Sequence, residues 1–199
     1  MDPDEAKNIK LTLAAPEWFH LRHGAHTFLS ASLCNSSERS GEHAYRPGVY
    51  NDREEYFNDI AAAYRQELAA LYAAGCRNVQ IDDPLLAYFC NVSMLQGLRE
   101  EGQDPDALLD SYIRLYQNCL KGRPRDLTVG LHLCRGNFRH SIHFSEGGYD
   151  LIAKKLFNEV NVDIYYLEYD TPRAGPCSHS FIFCSRVADA ATMQAPLNH

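Results

Sequence analysis

The sequence predicts an α/β chain built as a (β/α)8 TIM-type barrel, incomplete toward its C-terminus. Three observations predict it. Strand-like and helix-like stretches alternate along most of the chain, the signature of a parallel α/β architecture. Polar residues (Asp82, His132 and Glu168) fall at the ends of three predicted strands, where parallel barrels keep their chemistry. No Gly-x-Gly-x-x-Gly and no phosphate loop follows any strand, which removes the usual reason for a doubly wound nucleotide-binding sheet. A complete barrel typically needs about 250 residues. This chain has 199.

The elements follow in order. Residues 9–15, Ile-Lys-Leu-Thr-Leu-Ala-Ala, alternate as a short strand before Pro16. Residues 30–50 carry Ser, Asn, Gly, His and Pro without apolar periodicity and read as a long loop, a lid or binding segment. A helix then begins at Asn51, with Asn51 and Glu54 at capping-box spacing. Its apolar stripe is Tyr56, Ile60, Tyr64, Leu68 and Leu71, and Gly75 stands where a helix C′ residue belongs. Asn78–Asp82 is a short strand with an acidic end. Residues 93–101 are helical up to Gly102, and Asp104-Pro105 supplies an N-cap and an N1 proline for a helix through Leu120. After the turn at 121–126, Leu127–Cys134 is a strand. Glu146–Asn158 is a helix with Tyr149, Ile152, Leu156 and Phe157 near one stripe, and Val162–Glu168 is the next strand. Residues 1–175 therefore read as the barrel domain. Residues 176–199 read as an atypical tail with neither a cap nor a core stripe at its end.

Bulk properties exclude several function classes. The formal charge of −7 argues against a nucleic-acid partner, which needs a basic footprint. No apolar run approaches the about 20 residues that cross a bilayer, and the acidic start Met1-Asp-Pro-Asp-Glu5 is no secretory signal. The seven cysteines are odd in number and lack a disulfide-framework spacing, so reduced thiols in a cytoplasmic setting are expected.

The most informative residues are His132 and Cys134. A strand puts residues i and i+2 on one face, so imidazole and thiol point together while Leu131 and Leu133 point away. A borderline nitrogen donor beside a soft sulfur donor is half of a zinc site. Asp82 and Asp83 close their strand before Pro84 and cannot share a face. One points to the mouth, to bind a substrate ammonium or act in acid–base chemistry; either also reads as a turn or helix-cap carboxylate. Glu168 shares a face with Tyr166 and can complete a metal shell; the structural alternative is an ion pair with Arg173 or another basic residue. His20, His23, His26 and His43 read as solvated loop histidines. Cys76, Cys90 and Cys119 read as small core residues, while Cys177, His179 and Cys184 are remote candidates for a further ligand.

Taken together, Val79-Gln-Ile-Asp-Asp-Pro84, Gly130-Leu-His-Leu-Cys-Arg-Gly-Asn-Phe138 and Tyr166-Leu-Glu-Tyr-Asp170 resemble the catalytic domain of cobalamin-independent methionine synthase and its shorter relatives. This family lies within the uroporphyrinogen decarboxylase and methionine synthase-like superfamily. The resemblance covers about residues 9–175. It implies a (β/α)8 barrel and a zinc ion held by His132, Cys134 and Glu168, with Glu168 as a labile ligand. It implies that Asp82 and Glu168 are catalytic, and that Asp82 orients the amino group of a thiol such as homocysteine, with Asp83 standing where the family has Glu and also placed at the substrate. Arg22 and His23 are placed on the substrate side. The implied reaction is methyl transfer from a donor such as 5-methyltetrahydrofolate to the thiol, in the methionine biosynthesis class. The family's fourth ligand, a Cys near the last strand, has no recognised counterpart here. Three protein ligands and an incoming thiol would still satisfy tetrahedral zinc. An unclosed barrel exposes strand edges, so a homo-oligomer is a further expectation. Two rival readings stand beside this one: a non-catalytic shortened barrel that binds a small molecule or a sister subunit, and a metal-free lyase or isomerase using Asp82 and His132 as acid and base.

Overall fold

The computed structural model describes residues 3–20, 45, 48–100, 102–136, 145–169, 171–174 and 187–189. Most of the expected 30–50 loop lies outside the described residues, as do Arg22, His23, His26, His43, Cys177, His179 and Cys184.

After a short helix α1 (Pro3–Ala6), five strands form one sheet: β1 (Lys10–Ala14), β2 (Asn78–Asp83), β3 (Thr128–Leu133), β4 (Ile164–Leu167) and β5 (Val187–Asp189). Every neighbouring pair is parallel, and the spatial order is the chain order, β1 to β5. A doubly wound sheet reverses its strand order at a switch point; no reversal occurs among these strands. No pairing joins β5 back to β1 among the described residues, so these five strands are an open arc and not a closed barrel. The C-terminal segment contributes β5. The open edge of β4 offers it a hydrogen-bond ladder whatever its side-chain pattern.

Between the strands run α2 (Arg53–Ala73), α3 (Val92–Glu100), α4 (Pro105–Leu120) and α5 (Asp150–Glu159), with a 3-10 turn at Leu86–Cys90. The cap of α2 lies one residue later than its spacing predicts. Asp52 accepts from the Glu55 N–H at 2.8 Å, while Glu55 reaches back to the Asn51 N–H at 2.8 Å. Both adjacent pairs fit the capping-box pattern, and Asp52 has the extended cap backbone. The buried stripe is accordingly Phe57, Ala61, Tyr64 and Leu68, with Tyr56, Ile60 and Leu71 on its flank. The helix ends in a Schellman motif: Cys76 N–H reaches Leu71 O, Gly75 N–H reaches Tyr72 O, and Gly75 takes φ 100°. Helix α5 starts after the expected Glu146, because Gly147 takes φ 114°.

Helices α2, α4 and α5 pack side by side over one face of the sheet. That face carries Val79, Ile81, Val129, Leu131, Leu133, Tyr165 and Leu167, all essentially buried. The opposite face carries Gln80, Asp82, Thr128 and His132, which stay half-exposed. Along β2 and β3 the period-2 alternation thus separates a packed face from an open polar one.

A cluster of donors at the open strand ends

The parallel register sets Asp82 level with His132, and His132 level with Tyr166. Asp82 Oδ1 lies 2.5 Å from His132 Nδ1. A carboxyl oxygen accepts, so Nδ1 carries the donated proton and Nε2 is left to face outward. Gly130 lies under the Tyr166 ring on the same face; a Cβ at Gly130 would meet Tyr166 Cε2 at 2.5 Å. One residue past β3, Cys134 shares the His132 face. Its Sγ accepts from the Gly136 N–H at 3.4 Å. Burial pushes the Cys134 thiol above its ordinary range; the Gly136 contact opposes this, and the negative fields of Asp82 and Glu168 add to it. Such a thiol stays protonated until a cation offsets those fields.

Glu168 follows β4 directly, and its N–H continues the ladder to Leu133 O at 3.2 Å. Its backbone therefore sits beside the His132–Cys134 end of β3. Its side chain takes a different course. Oε1 accepts from Arg173 Nε at 2.5 Å and from Thr171 Oγ1 at 3.5 Å. The structural alternative foreseen for Glu168 is the arrangement present.

The donor set can be tested against zinc on this geometry. His132 leaves Nε2 beyond its Asp82 contact, and Cys134 follows two residues on, so both suit the ion in donor chemistry. Glu168 as placed does not, because Arg173 holds its carboxylate. No three His, Cys, Asp or Glu side chains among the described residues are grouped as a metal site.

Asp83 was expected at the substrate and is placed elsewhere. Strand alternation turns it to the helix side, where it is fully buried. Oδ1 accepts from the Leu85 and Leu86 N–H groups at 2.7 and 2.9 Å, and Tyr116 Oη donates to Oδ2 at 2.6 Å. It is a turn-capping carboxylate, and Asp82 alone faces the mouth. Sequence reasoning missed its neighbour, Glu17. That residue is also fully buried, beside the Asp83 carboxyl and the Tyr116 hydroxyl. Two carboxyls close such a contact only around a proton. Burial, then the Asp83 charge, raises Glu17 well above the carboxylate range, while contacts with Glu17, Tyr116, Leu86 and Leu85 restrain the rise at Asp83. Burial thus favours the protonated form of Glu17, for which the sequence around Pro16 carries no signal.

His20, expected to be solvated, is buried as well. Its Nδ1 lies 2.8 Å from Tyr112 Oη and its ring meets Phe57 edge-on at 5.1 Å. Burial, helped by the Arg53 charge, lowers its pKa to about 4. It is a neutral core residue because α2 and α4 enclose it. Cys76, Cys90 and Cys119 are buried, as their apolar surroundings suggest. No helix among the described residues is long and apolar enough to cross a membrane.

Comparison with known proteins adds the following. The family profile "Cobalamin-independent synthase, Catalytic domain" matches residues 44–169. Uncharacterized protein YxjH of Bacillus subtilis is 35% identical over 181 residues, covering 86% of this chain and 48% of the relative. Uncharacterized protein YxjG of the same organism is 38% identical over 125 residues, covering 63% and 33%. The crystal structure of the Putative Vitamin-B12 Independent Methionine Synthase from Listeria monocytogenes superposes with a TM-score of 0.55 at 26% identity. That superposition covers 90% of this chain and 44% of the Listeria chain. The chain thus spans about half or less of the length of these relatives.

Proposed function

Because the chain belongs to the cobalamin-independent synthase catalytic-domain family, we propose that it carries the zinc-dependent methyl-transfer site of that family on an arc of a (β/α)8 barrel. The proposed acceptor is a small thiol such as homocysteine, and the proposed donor is a methylated folate. The barrel reading is supported by strands that run in sequential parallel order with helices on one face.

One observation carries the site. His132 and Cys134 project from one face at the carboxyl end of β3, and Asp82 holds His132 Nδ1. That contact fixes the tautomer that leaves Nε2 for a metal. When bound there, zinc supplies the positive charge that holds a thiol as thiolate at neutral pH. The chain's own residues do the rest. Cys134 and His132 provide the donors, Asp82 orients His132, and the half-exposed face of β2 and β3 leaves room for a small molecule. Asp82 is 47% exposed in its side chain and so can also meet a substrate ammonium from the solvent side.

The test is metal content. Purified full-length chain is expected to hold stoichiometric zinc, and Cys134→Ser is expected to lose most of it. Absence of zinc from the wild type, or an unchanged content in Cys134→Ser, defeats the reading. The short Asp82–His132 contact also suits a metal-free acid–base pair. Turnover of homocysteine and methylfolate that survives complete chelation would favour that second reading.

A further inference from the structure

We propose that the cleft between β1 and α2 is a second binding site, one that takes an apolar amine in its cationic form, such as an arylalkylammonium. It is separate from the donor cluster and does not depend on the zinc reading.

The cleft measures about 520 Å³, the size of a site for a small organic molecule. Leu13 and Phe19 line it from the β1 side. Tyr50, Tyr56, Ile60 and Tyr64 line it from α2 and the residues leading into it. Leu13 is level with Ile81, on the helix-covered face of the sheet. The aromatic wall is preformed. Tyr50 and Tyr56 meet with ring centres 5.2 Å apart, and both pack on Tyr45, at 5.5 and 5.0 Å. Tyr56 in turn reaches Phe57 at 6.0 Å, which anchors these rings to the core. Ala63 also lines the cleft, and its single methyl leaves the space unfilled. Phe19 is 44% exposed, an apolar ring left in reach of solvent.

Charge decides what such a cleft takes. Its lining holds two carboxylates, Asp59 and Glu67, and no Lys, Arg or His. They stand about 12 Å apart along α2, with Ala63 midway. Asp59 Oδ2 accepts from Tyr50 Oη at 3.0 Å. No cation pairs with Asp59 or Glu67 among the described residues. The negative field registers on the Tyr50 phenol. Its hydrogen bond to Asp59, then burial and the charges of Asp59 and Glu55, push it above its ordinary value. Ring faces attract a cation, and the carboxylates add to that attraction. An ammonium on an apolar body is therefore favoured over a neutral molecule of the same shape, and a carboxylate of that shape is repelled.

The experiment titrates the full chain by calorimetry with three probes built on one ring system: tryptamine (cationic), tryptophol (neutral) and indole-3-acetate (anionic). Tryptamine should bind about tenfold more tightly than tryptophol, and indole-3-acetate most weakly. Asp59→Asn keeps an acceptor for Tyr50, and Glu67→Gln keeps the side-chain shape. Each should weaken tryptamine about threefold and leave tryptophol unchanged. Ala63→Phe fills the cleft from an exposed helix position and should abolish binding of tryptamine and tryptophol alike, with thermal melting as the check on its fold. Should that variant fold poorly, the two charge variants still decide. Equal binding of the three probes, no binding of tryptamine at millimolar concentration, or tryptamine binding that the charge variants leave unchanged overturns the proposal. So does sedimentation showing a dimer that Ala63→Phe dissociates, because the cleft then belongs to an interface between copies. Zinc content enters none of these outcomes.

Discussion

Glu17→Gln should remove a pH dependence from the stability of this fold. In the native chain Glu17 and Asp83 lie together, fully buried, and burial with the Asp83 charge favours a protonated Glu17. The unfolded chain releases that proton near the ordinary Glu value of about 4.3. Glu17 in the fold keeps it until well above that value, because burial and the Asp83 charge disfavour its anion. The sign follows from proton counts. Above the unfolded pKa the native state binds more protons than the unfolded state, so stability falls as pH rises. The stabilising contribution is fully present below the unfolded pKa and is gone once pH has passed the raised native pKa. The loss runs at about 1.4 kcal/mol per pH unit for one proton. The glutamine amide of the variant can donate to Asp83 without titrating. Denaturant unfolding of wild type and Glu17→Gln at pH 5, 6 and 7 should show their difference moving in favour of the variant by about 1.4 kcal/mol per unit. The movement stops where the native pair has titrated. A difference that stays flat from pH 5 to pH 7 would refute the protonated Glu17.

Two further outcomes follow from the same geometry. Asp82→Asn keeps the size of the side chain but permits the amide to donate to His132 Nδ1, freeing the wrong tautomer; zinc affinity by chelator competition should fall about 10- to 100-fold, with thermal stability nearly unchanged. Gly147→Ala places a Cβ 2.3 Å from Cys90 O at a φ of 114°, so strain and overlap together should cost about 2 kcal/mol or more, read by urea unfolding.

Much of this was readable because two periods suffice for it. Alternation in β2 and β3 separates Asp82 from Asp83 and aligns His132 with Cys134, and parallel register then brings Asp82 to His132. The features that escaped depend on elements far apart in the chain. His20 is buried by α2 and α4, neither of which its local sequence announces. Glu17 meets Asp83 only after β1 has paired with β2. The cap of α2 slipped by one because Asn51-Asp52 and Glu54-Glu55 offer the same pattern twice, and only the backbone chooses.

The same alternation explains why the mouth can carry reactive groups at all. The ends of β2 and β3 each pair a partly exposed residue with a buried structural one: Asp82 with Asp83, Cys134 with Arg135. The structural members, both wholly buried, grip one element, the 3-10 turn Leu86–Cys90. Asp83 caps the N–H groups at its start, and Arg135 lies against the Cys90 thiol at its end while stacking over Tyr149 at 4.3 Å. Anion at the start and cation at the end match the direction of the turn's peptide dipoles. Ser145 Oγ donates to Ala87 O within the same turn, and Gly147 closes on Cys90 O. The turn thus ties the ends of β2 and β3 to the chain entering α5. It holds the backbones of Asp82 and Cys134 at the ends of β2 and β3 in one frame.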